Sequence, residues 1–365
     1  MKKSVIICVL ALICSSLFAA MPAEKIRAGL KERNKALHIK DGWIRDPYII
    51  LMPDGWYYLT GTTKLPEDSE KFLHNKYNDN ISPNRVGHIM RLWRSRNLID
   101  WEYIGAPYSL ADGIWPEVYP EKHRNINDWR LWAPEMHFID GCWVIVHTSP
   151  APVNGANLSV TRGRKLEGPY LNPMGKNIRK RHDPTLFEDE NGRVWLIWGA
   201  ANIVPLKDDF SGVAGDWVRI WPSNRKIGHE GCMIRKIGDK YVLFGTGWST
   251  DKMRKGSYNL YYCVSDKING GYGKRKFAGR FLGHGTLFKD KQGRWWCTAF
   301  YNANVPRISR KHAQTKDLSD TAYTVNKQGV TIVPMDIRQL DTGEIRVKAL
   351  DPLYASPGKE EAQEF

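Results

Sequence analysis

The sequence predicts an all-β fold: a five-bladed β-propeller with a short helical segment at its N-terminus. Three observations carry this prediction. One phrase recurs along the chain, and it is fullest from Arg181 to Gly199: an acid beside a proline, a β-prone run, a turn with Asn191-Gly192, then an apolar run ending in Trp198-Gly199. The phrase returns at Asp46-Pro47-Tyr48 with Asp54-Gly55, at Trp132-Ala133-Pro134-Glu135 with Asp140-Gly141, at His229-Glu230-Gly231 with Gly238-Asp239, and at His284-Gly285-Thr286 with Gln292-Gly293. Each copy reads as a strand, a two-residue turn and a second strand. The openings fall at about 46, 134, 183, 230 and 284, and all but the first gap are near the length of one propeller blade. The longer first gap places an insertion there.

Taken in order, Met1-Lys2-Lys3 and the apolar run from Val5 to Ala20 read as a secretory signal over residues 1–20, too short and wrongly flanked for a membrane span. A periplasmic or secreted location follows as the expectation. Residues 23–37 have a helical pattern, with Ile26, Leu30 and Leu37 near one face. Blade one opens at Arg45-Asp46-Pro47. Residues 64–85 are polar and rich in Asn and Pro, and read as a long loop. Leu158–Thr161 leading to Tyr170, and Asn259–Ser265 leading to Tyr272, repeat the outer part of the unit, so each unit has about four strands. Residues 200–228 read as a connection from blade three to blade four. The runs Thr331–Val333 and Ile345–Val347 finish the fifth blade. A single domain therefore spans 21–355, and residues 356–365 read as a disordered tail.

Of six cysteines, Cys8 and Cys14 leave with the signal. Cys142, Cys232, Cys263 and Cys297 sit in apolar strands without CxxC spacing. That argues against a zinc cluster and for buried thiols, with disulfide pairing left open. No dinucleotide or P-loop fingerprint occurs. The formal charge is +15, and +13 once Lys2 and Lys3 are gone. An exported chain this basic suits nucleic acid, an acidic surface or an acidic polymer, or carries its charge for solubility alone. Fifteen tryptophans and sixteen tyrosines suit strands and sugar faces alike.

In a propeller the first strand of every blade lines the central channel, so equivalent positions converge on the axis. Asp46, Asp183 and Glu230 are read as one repeat phase, which brings three acids together. Convergent carboxylates are what glycoside hydrolysis needs, one as base and one as acid. Glu135 is read one position later, hence facing away. The basic run Lys176, Arg179, Lys180 and Arg181 leads into His182-Asp183, and Lys252, Arg254 and Lys255 follow the second strand of blade four. Both runs are candidates for meeting an anionic substituent near the cleaved bond.

On these residues the chain resembles glycoside hydrolase family 43, with families 117, 32 and 62 related to it. The resemblance runs from about residue 40 to 310. Its motifs are matched by Asp46-Pro47, Trp132 to His137, Asp183-Pro184, Glu230-Gly231 and Gly283-His284-Gly285. Cys232 stands where the family usually has a proline. What the resemblance implies is an inverting mechanism with Asp46 as general base and Glu230 as general acid. Asp183 would orient Glu230 and raise its pKa by like charge. The resemblance requires no cofactor; the family often holds calcium in the central channel, which makes His284 a candidate metal-shell residue. Arg45, Trp132, His182, His229, Trp248 and Arg181 are the candidate sugar-binding residues. Family 117, acting on algal galactan oligosaccharides, uses a histidine as acid, which leaves open whether His182 or His229 replaces Glu230.

The expected function is an exported glycosidase releasing terminal arabinofuranose or xylose from a plant or algal polysaccharide, with an anionic glycan admitted by the charge. Its partner is that oligosaccharide or polysaccharide, with no nucleic acid. The alternatives are an anhydro-galactosidase-type enzyme and a carbohydrate-binding propeller without catalysis; the three acids argue against the last. The sugar, the linkage and the oligomeric state are not encoded in any motif.

Overall fold

The computed structural model describes residues 21–64, 86–113, 125–126, 129–149, 156–161, 165–178, 182–299, 309–316, 318 and 329–365. The signal expected over 1–20, nearly all of the loop expected over 64–85, and Arg179, Lys180 and Arg181 lie outside them. Among the described residues no helix is long and apolar enough to cross a membrane.

The chain begins with α1 (Ala23–Glu32) and β1 (Leu37–Asp41). The helix is shorter than the expected 23–37 because Arg33 turns left-handed (φ 52°), donating its N–H to Gly29 O at 2.8 Å, which frees Leu37 to start a strand. Four blades follow as four-stranded antiparallel meanders: β2 (Arg45–Leu51), β3 (Tyr57–Thr62), β4 (Ile89–Ser95) and β5 (Glu102–Ser109); β6 (Trp132–Ile139), β7 (Cys142–Thr148), β8 (Ala156–Thr161) and β9 (Tyr170–Leu171); β10 (Thr185–Glu188), β11 (Val194–Trp198), β12 (Asn202–Pro205) and β13 (Val218–Arg219); β14 (Glu230–Ile237), β15 (Lys240–Trp248), β16 (Tyr258–Ser265) and β17 (Lys276–Gly279). Residues 200–228 are thus more than a connection, since β12 and β13 are the outer strands of blade three.

The fifth blade joins the two ends of the chain. Its order is β18 (Leu287–Lys289), β19 (Trp295–Ala299), β20 (Gly329–Gln339) and then β1, with Leu37 opposite Ile332 and Asp41 opposite Gly329. The far half of β20 pairs with β21 (Ile345–Ala349). Closure by β1 leaves the ring no open gap between its last and first blades.

The turns differ in kind. Asp140-Gly141 is a two-residue hairpin with both residues left-handed (φ 47° and 71°), the geometry that matches strand twist. The Asn191-Gly192 turn, expected to be two residues, is a longer loop from Glu188 to Val194. Asp189 organises it: Oδ1 accepts the N–H groups of Asn191 and Arg193, and Oδ2 accepts Trp195 Nε1 at 2.9 Å. Asp290 repeats the device with Gln292, Arg294 and Trp296.

Apolar side chains fill the spaces between blades, one cluster to each interface. Met90, Leu92 and Tyr108 meet Met136, Trp143 and Ile145; Val144 and Leu158 meet Leu196 and Val204; Ile197 and Ile203 meet Ile234 and Cys263; Phe244 and Tyr262 meet Val333 and Met335; Trp296 and Ile332 meet Ile49 and Leu59. Each such side chain removed from water contributes about 1.5–3 kcal/mol. Cys142, Cys232, Cys263 and Cys297 are free thiols, and all but Cys142 are buried among these side chains.

The tail expected to be disordered is packed instead. Glu360 is 1% exposed and accepts Ser257 Oγ at 2.6 Å and Arg280 Nη2 at 2.8 Å. Glu361 accepts the Tyr261 hydroxyl, and Phe365 stacks on the Tyr261 ring. Buried carboxylates with cationic and hydroxyl partners give this polar segment the anchoring that its composition hides.

Candidate active site

The first strands of the blades bring a ring of side chains to the channel, and a bulge sets the phase of that ring. Pairing with the second strand slips between Arg45 and Tyr48, between Trp132 and Glu135, and between Glu230 and Met233. One residue at each blade opening is left-handed: φ is 49° at Asp46, 44° at Ala133, 55° at Asp183, 59° at Gly231 and 55° at His284, and in blades one, two and four that residue lies inside the slip. Left-handed backbone is uncommon outside glycine, asparagine and aspartate, and its recurrence in every blade marks one equivalent position.

This phase corrects two expectations. Glu230 precedes the left-handed residue, so its equivalents are Arg45, Trp132 and His182 rather than Asp46 and Asp183. Glu135 follows the left-handed residue by two and turns into the channel, where it accepts Thr185 Oγ1 at 2.6 Å and faces His137 Nε2 at 3.0 Å. A narrow cavity there is lined by Asp46, Glu135, Asp183, Cys232, His284 and Thr286 among others. Simple strand alternation fails because the bulge adds a residue.

Threonines on the second strands hold the ring. Thr62 Oγ1 donates to Asp46 Oδ2 at 2.7 Å and accepts the N–H of Ala133 in the next blade. Thr148 accepts the Asp183 N–H at 2.6 Å. These bonds satisfy the donors that the bulge removes from the ladder.

Asp46 and Asp183 are 9% and 8% exposed, and His284 stands between them. Its Nδ1 is 2.5 Å from Asp46 Oδ1, and its Nε2 is 3.3 Å from Asp183 Oδ2. Burial works against the His284 cation, but the two carboxylates outweigh it and hold the imidazole well above its ordinary pKa. Burial likewise opposes ionisation of Asp46, yet His284, Arg45 and the Thr62 hydroxyl keep its carboxyl below the usual range. A calcium ligand has to offer a lone pair to the ion, and both ring nitrogens of His284 face carboxylates. His284 in this arrangement fits an imidazolium bridge and does not fit a calcium ligand.

Glu230 sits at the mouth. His182 Nε2 is 2.9 Å from Glu230 Oε2, and the Tyr258 hydroxyl donates to Glu230 Oε1 at 2.5 Å. Asp183 reaches the same group by accepting the Gly231 N–H at 3.3 Å, and stands 3.9 Å from His182 Nε2. The hydrogen bond to Glu230 outweighs burial and, with Asp183, raises His182 to about 9. Burial disfavours the Glu230 carboxylate, but His182, His284 and Tyr258 together push its pKa far down. This is the reverse of the expected upward shift from Asp183. At neutral pH the pair holds one proton, and His182 carries it. Donor atoms of His182, Asp183 and Glu230 lie within 4.8 Å of one another, a spacing that would also admit a metal ion. The imidazole-to-carboxylate bond accounts for it without one.

The other expected residues divide. Arg45 lies beside Asp46 at the mouth. Trp132 is half-buried on the same ring, its indole N–H without a hydrogen-bond partner among the described residues. Trp248 is 6% exposed and stacks on Tyr258 with centroids 4.6 Å apart, so it backs the Glu230 partner rather than presenting a face to a sugar. His229 lines a separate cavity. Burial keeps its imidazole below the ordinary pKa, hence neutral. Arg181 is outside the described residues. Sequence reading missed Tyr258, which no repeat marks, and the bridging role of His284, for which the Gly283-His284-Gly285 motif was the available signal.

Comparison with known proteins bears on the family and the fold. The family model described as glycosyl hydrolases family 43 matches residues 38–319. Beta-D-galactofuranosidase xynD of Aspergillus niger is 25% identical over 182 residues, 44% of this chain and 52% of that protein. Xylosidase/arabinosidase 43B of Humicola insolens is 26% identical over 113 residues, 30% of this chain and 20% of that one. The chain therefore matches about half, or less, of these curated relatives' length. Among solved structures, an endo-1,4-beta-xylanase from Bacteroides thetaiotaomicron superposes with TM-score 0.58 at 18% identity, covering 86% of this chain and 97% of that one. The BlXynB protein of Bacillus licheniformis gives TM-score 0.59 at 18% identity, covering 88% and 58%. At such identity these two neighbours establish the fold.

Proposed function

The chain belongs to glycosyl hydrolase family 43, and from that premise we propose that it is an exported, inverting glycosidase. It releases terminal glycosyl residues of the arabinofuranose or xylose kind from a plant or algal polysaccharide. The observation that carries the reading is the division of labour around the channel: Asp46 is held ionised by His284, while Glu230 and His182 hold one proton at the mouth. The relatives' names, a galactofuranosidase and a xylosidase/arabinosidase, support the class of sugar. The apolar run at residues 5–20 supports export.

The chemistry balances on these groups. Asp46 takes a proton from water as the water oxygen bonds to the anomeric carbon. The bond from that carbon to the leaving oxygen breaks as the Glu230–His182 pair gives up its proton to that oxygen. Asp183 and Tyr258 hold Glu230 in place through the Gly231 N–H and the carboxyl itself. His284 ties base to positioning acid, so neither carboxylate drifts. General acid and general base help are each worth about 10²–10⁴-fold.

A second reading has one observation in its favour. Because His182 carries the shared proton, a histidine is the immediate donor, as in the anhydro-galactosidase type of enzyme. Hydrolysis of 4-nitrophenyl α-L-arabinofuranoside and β-D-xyloside, with the product anomer followed by proton NMR, tests the first reading. An inverted anomer is the expected result; a retained anomer, or no turnover on any glycoside panel, would remove it. Turnover confined to algal galactan oligosaccharides would favour the second.

A further inference from the structure

A second cavity of about 500 Å³ has His229, the residue before Glu230, in its wall. The segments that build it are the turn after β11, the stretch from β13 to β14, the loop after β15, and the residue before β17. It is therefore on the face where β14 begins, one residue from Glu230. Four cations line it, Arg219, Arg225, Lys226 and Arg275, against a single carboxylate, Asp251.

That carboxylate is already shared. Arg225 Nη1 is 2.6 Å from Asp251 Oδ2, and Arg275 Nη2 is 3.1 Å from Oδ1. Arg275 is 4% exposed and fixed on every side: it donates to Gln363 Oε1 at 3.0 Å and Lys226 O at 3.1 Å, and lies 4.2 Å from the Tyr261 ring centre. Among the described residues Arg219 and Lys226 have no ion-pair partner, and both stand over Trp221, at 4.9 and 5.7 Å. The Trp221 ring is 37% exposed, and its N–H is spent on Ala200 O. His229 Nδ1 is buried in the wall, with no hydrogen-bond partner among the described residues.

Gathering cations in a concave site raises their mutual repulsion and the local potential, which favours an anion entering it. A solvated loop would let these side chains spread into water. Here a buried arginine and its own C-terminal tail fix the wall instead. We propose that this cavity is an anion subsite for a carboxylate or sulfate ester borne by the sugar unit beside the cleaved bond. Arg219 and Lys226 make the contacts. Arg225 and Arg275, held by Asp251, position the wall, and Trp221 supplies the floor. Attachment of the anion to a sugar rests on the glycosidase reading; anion capture by the cavity does not.

Calorimetric titration of the full chain with D-glucuronate, inorganic sulfate and neutral D-glucose tests this at low salt. At least one anion is expected to bind ten-fold or more tightly than D-glucose, and to weaken as sodium chloride is added. The exposed pair Arg219→Ala/Lys226→Ala should lose that advantage ten-fold or more, and Arg219→Lys/Lys226→Arg should keep most of it. Tighter D-glucuronate assigns a uronate, tighter sulfate a sulfate ester. Anions binding no better than D-glucose, or unchanged binding in the alanine pair, overturn the subsite. Anion capture without turnover of any glycoside, algal galactan oligosaccharides included, would sink the glycosidase reading and leave the subsite standing. Turnover without anion capture would do the opposite.

Discussion

Blades three and four open on the same dipeptide, a histidine followed by an acid, and the two histidines end in opposite states. His182 turns onto Glu230 of the neighbouring blade and is held as a cation up to about pH 9. His229 is half-buried, held below its ordinary pKa by that burial, and lines the basic cavity. One residue of register separates them. In blade three the left-handed position falls on Asp183, so His182 occupies the mouth ring. In blade four it falls on Gly231, so Glu230 takes the ring and His229 lies one step further out. The proposed catalytic role thus follows the position of the left-handed residue, with a histidine–acid pair in both blades.

The largest effects should come from the carboxylates on either side of this comparison. Asp46→Asn and Glu230→Gln should each lower kcat by about 10²–10⁴-fold. A 4-nitrophenyl leaving group should restore part of the activity of Glu230→Gln and none of that of Asp46→Asn, read by steady-state kinetics on matched substrates. Near wild-type turnover of Glu230→Gln on natural glycans would move the donor role to His182 alone.

The histidines separate next. His182→Asn should cost about 10- to 100-fold in kcat/KM, the worth of a hydrogen bond to a charged group. It should also move the alkaline limb below about pH 9, because Glu230 loses the cation that shares its proton. His229→Gln should leave that limb in place. A pH profile in which both variants shift alike would erase the distinction.

A smaller effect tests the phase itself. A Cβ on Gly231 would stand 2.3 Å from His284 Cδ2, at a φ of 59° that disfavours side chains. Gly231→Ala should therefore cost about 1–3 kcal/mol in denaturant unfolding. Stability should also follow pH with a definite sign. Asp46 and Glu230 have depressed pKa values in the folded state, so their contribution is present above about pH 4.5 and is lost as pH falls. His182 is raised, so its contribution is complete below about pH 6.5 and is lost as pH climbs through about 9. Denaturation midpoints should be highest between those two limits, and His182→Asn should flatten the alkaline decline.

Much of this was legible in the chain. The five openings each carried a Pro or Gly beside an acid or histidine, and their spacing announced the blades. Asp46, Asp183 and Glu230 were found because those openings converge. Ring closure was not legible: β1 is a five-residue strand whose partner Ile332 lies nearly the whole chain away, and no turn links them. The roles of Glu135 and Glu230 were misphased because a bulge shifts alternation by one residue and leaves no composition signal of its own. The basic cavity was hidden for another reason. Arg219, Arg225 and Lys226 sit in a stretch read as a connection, and Arg275 joins them only through the packing of blade four and the C-terminal tail.

The proposed mechanism turns on one proton held between Glu230 and His182, with His182 carrying it. Nitrogen-15 NMR of the histidine side chains in the full-length protein tests this most directly. A His182 imidazolium is expected at pH 7.5, titrating at about 9, and falling toward an ordinary histidine value in Glu230→Gln. A His182 ring that is already neutral at pH 7.5, or one whose titration ignores Glu230→Gln, would contradict it.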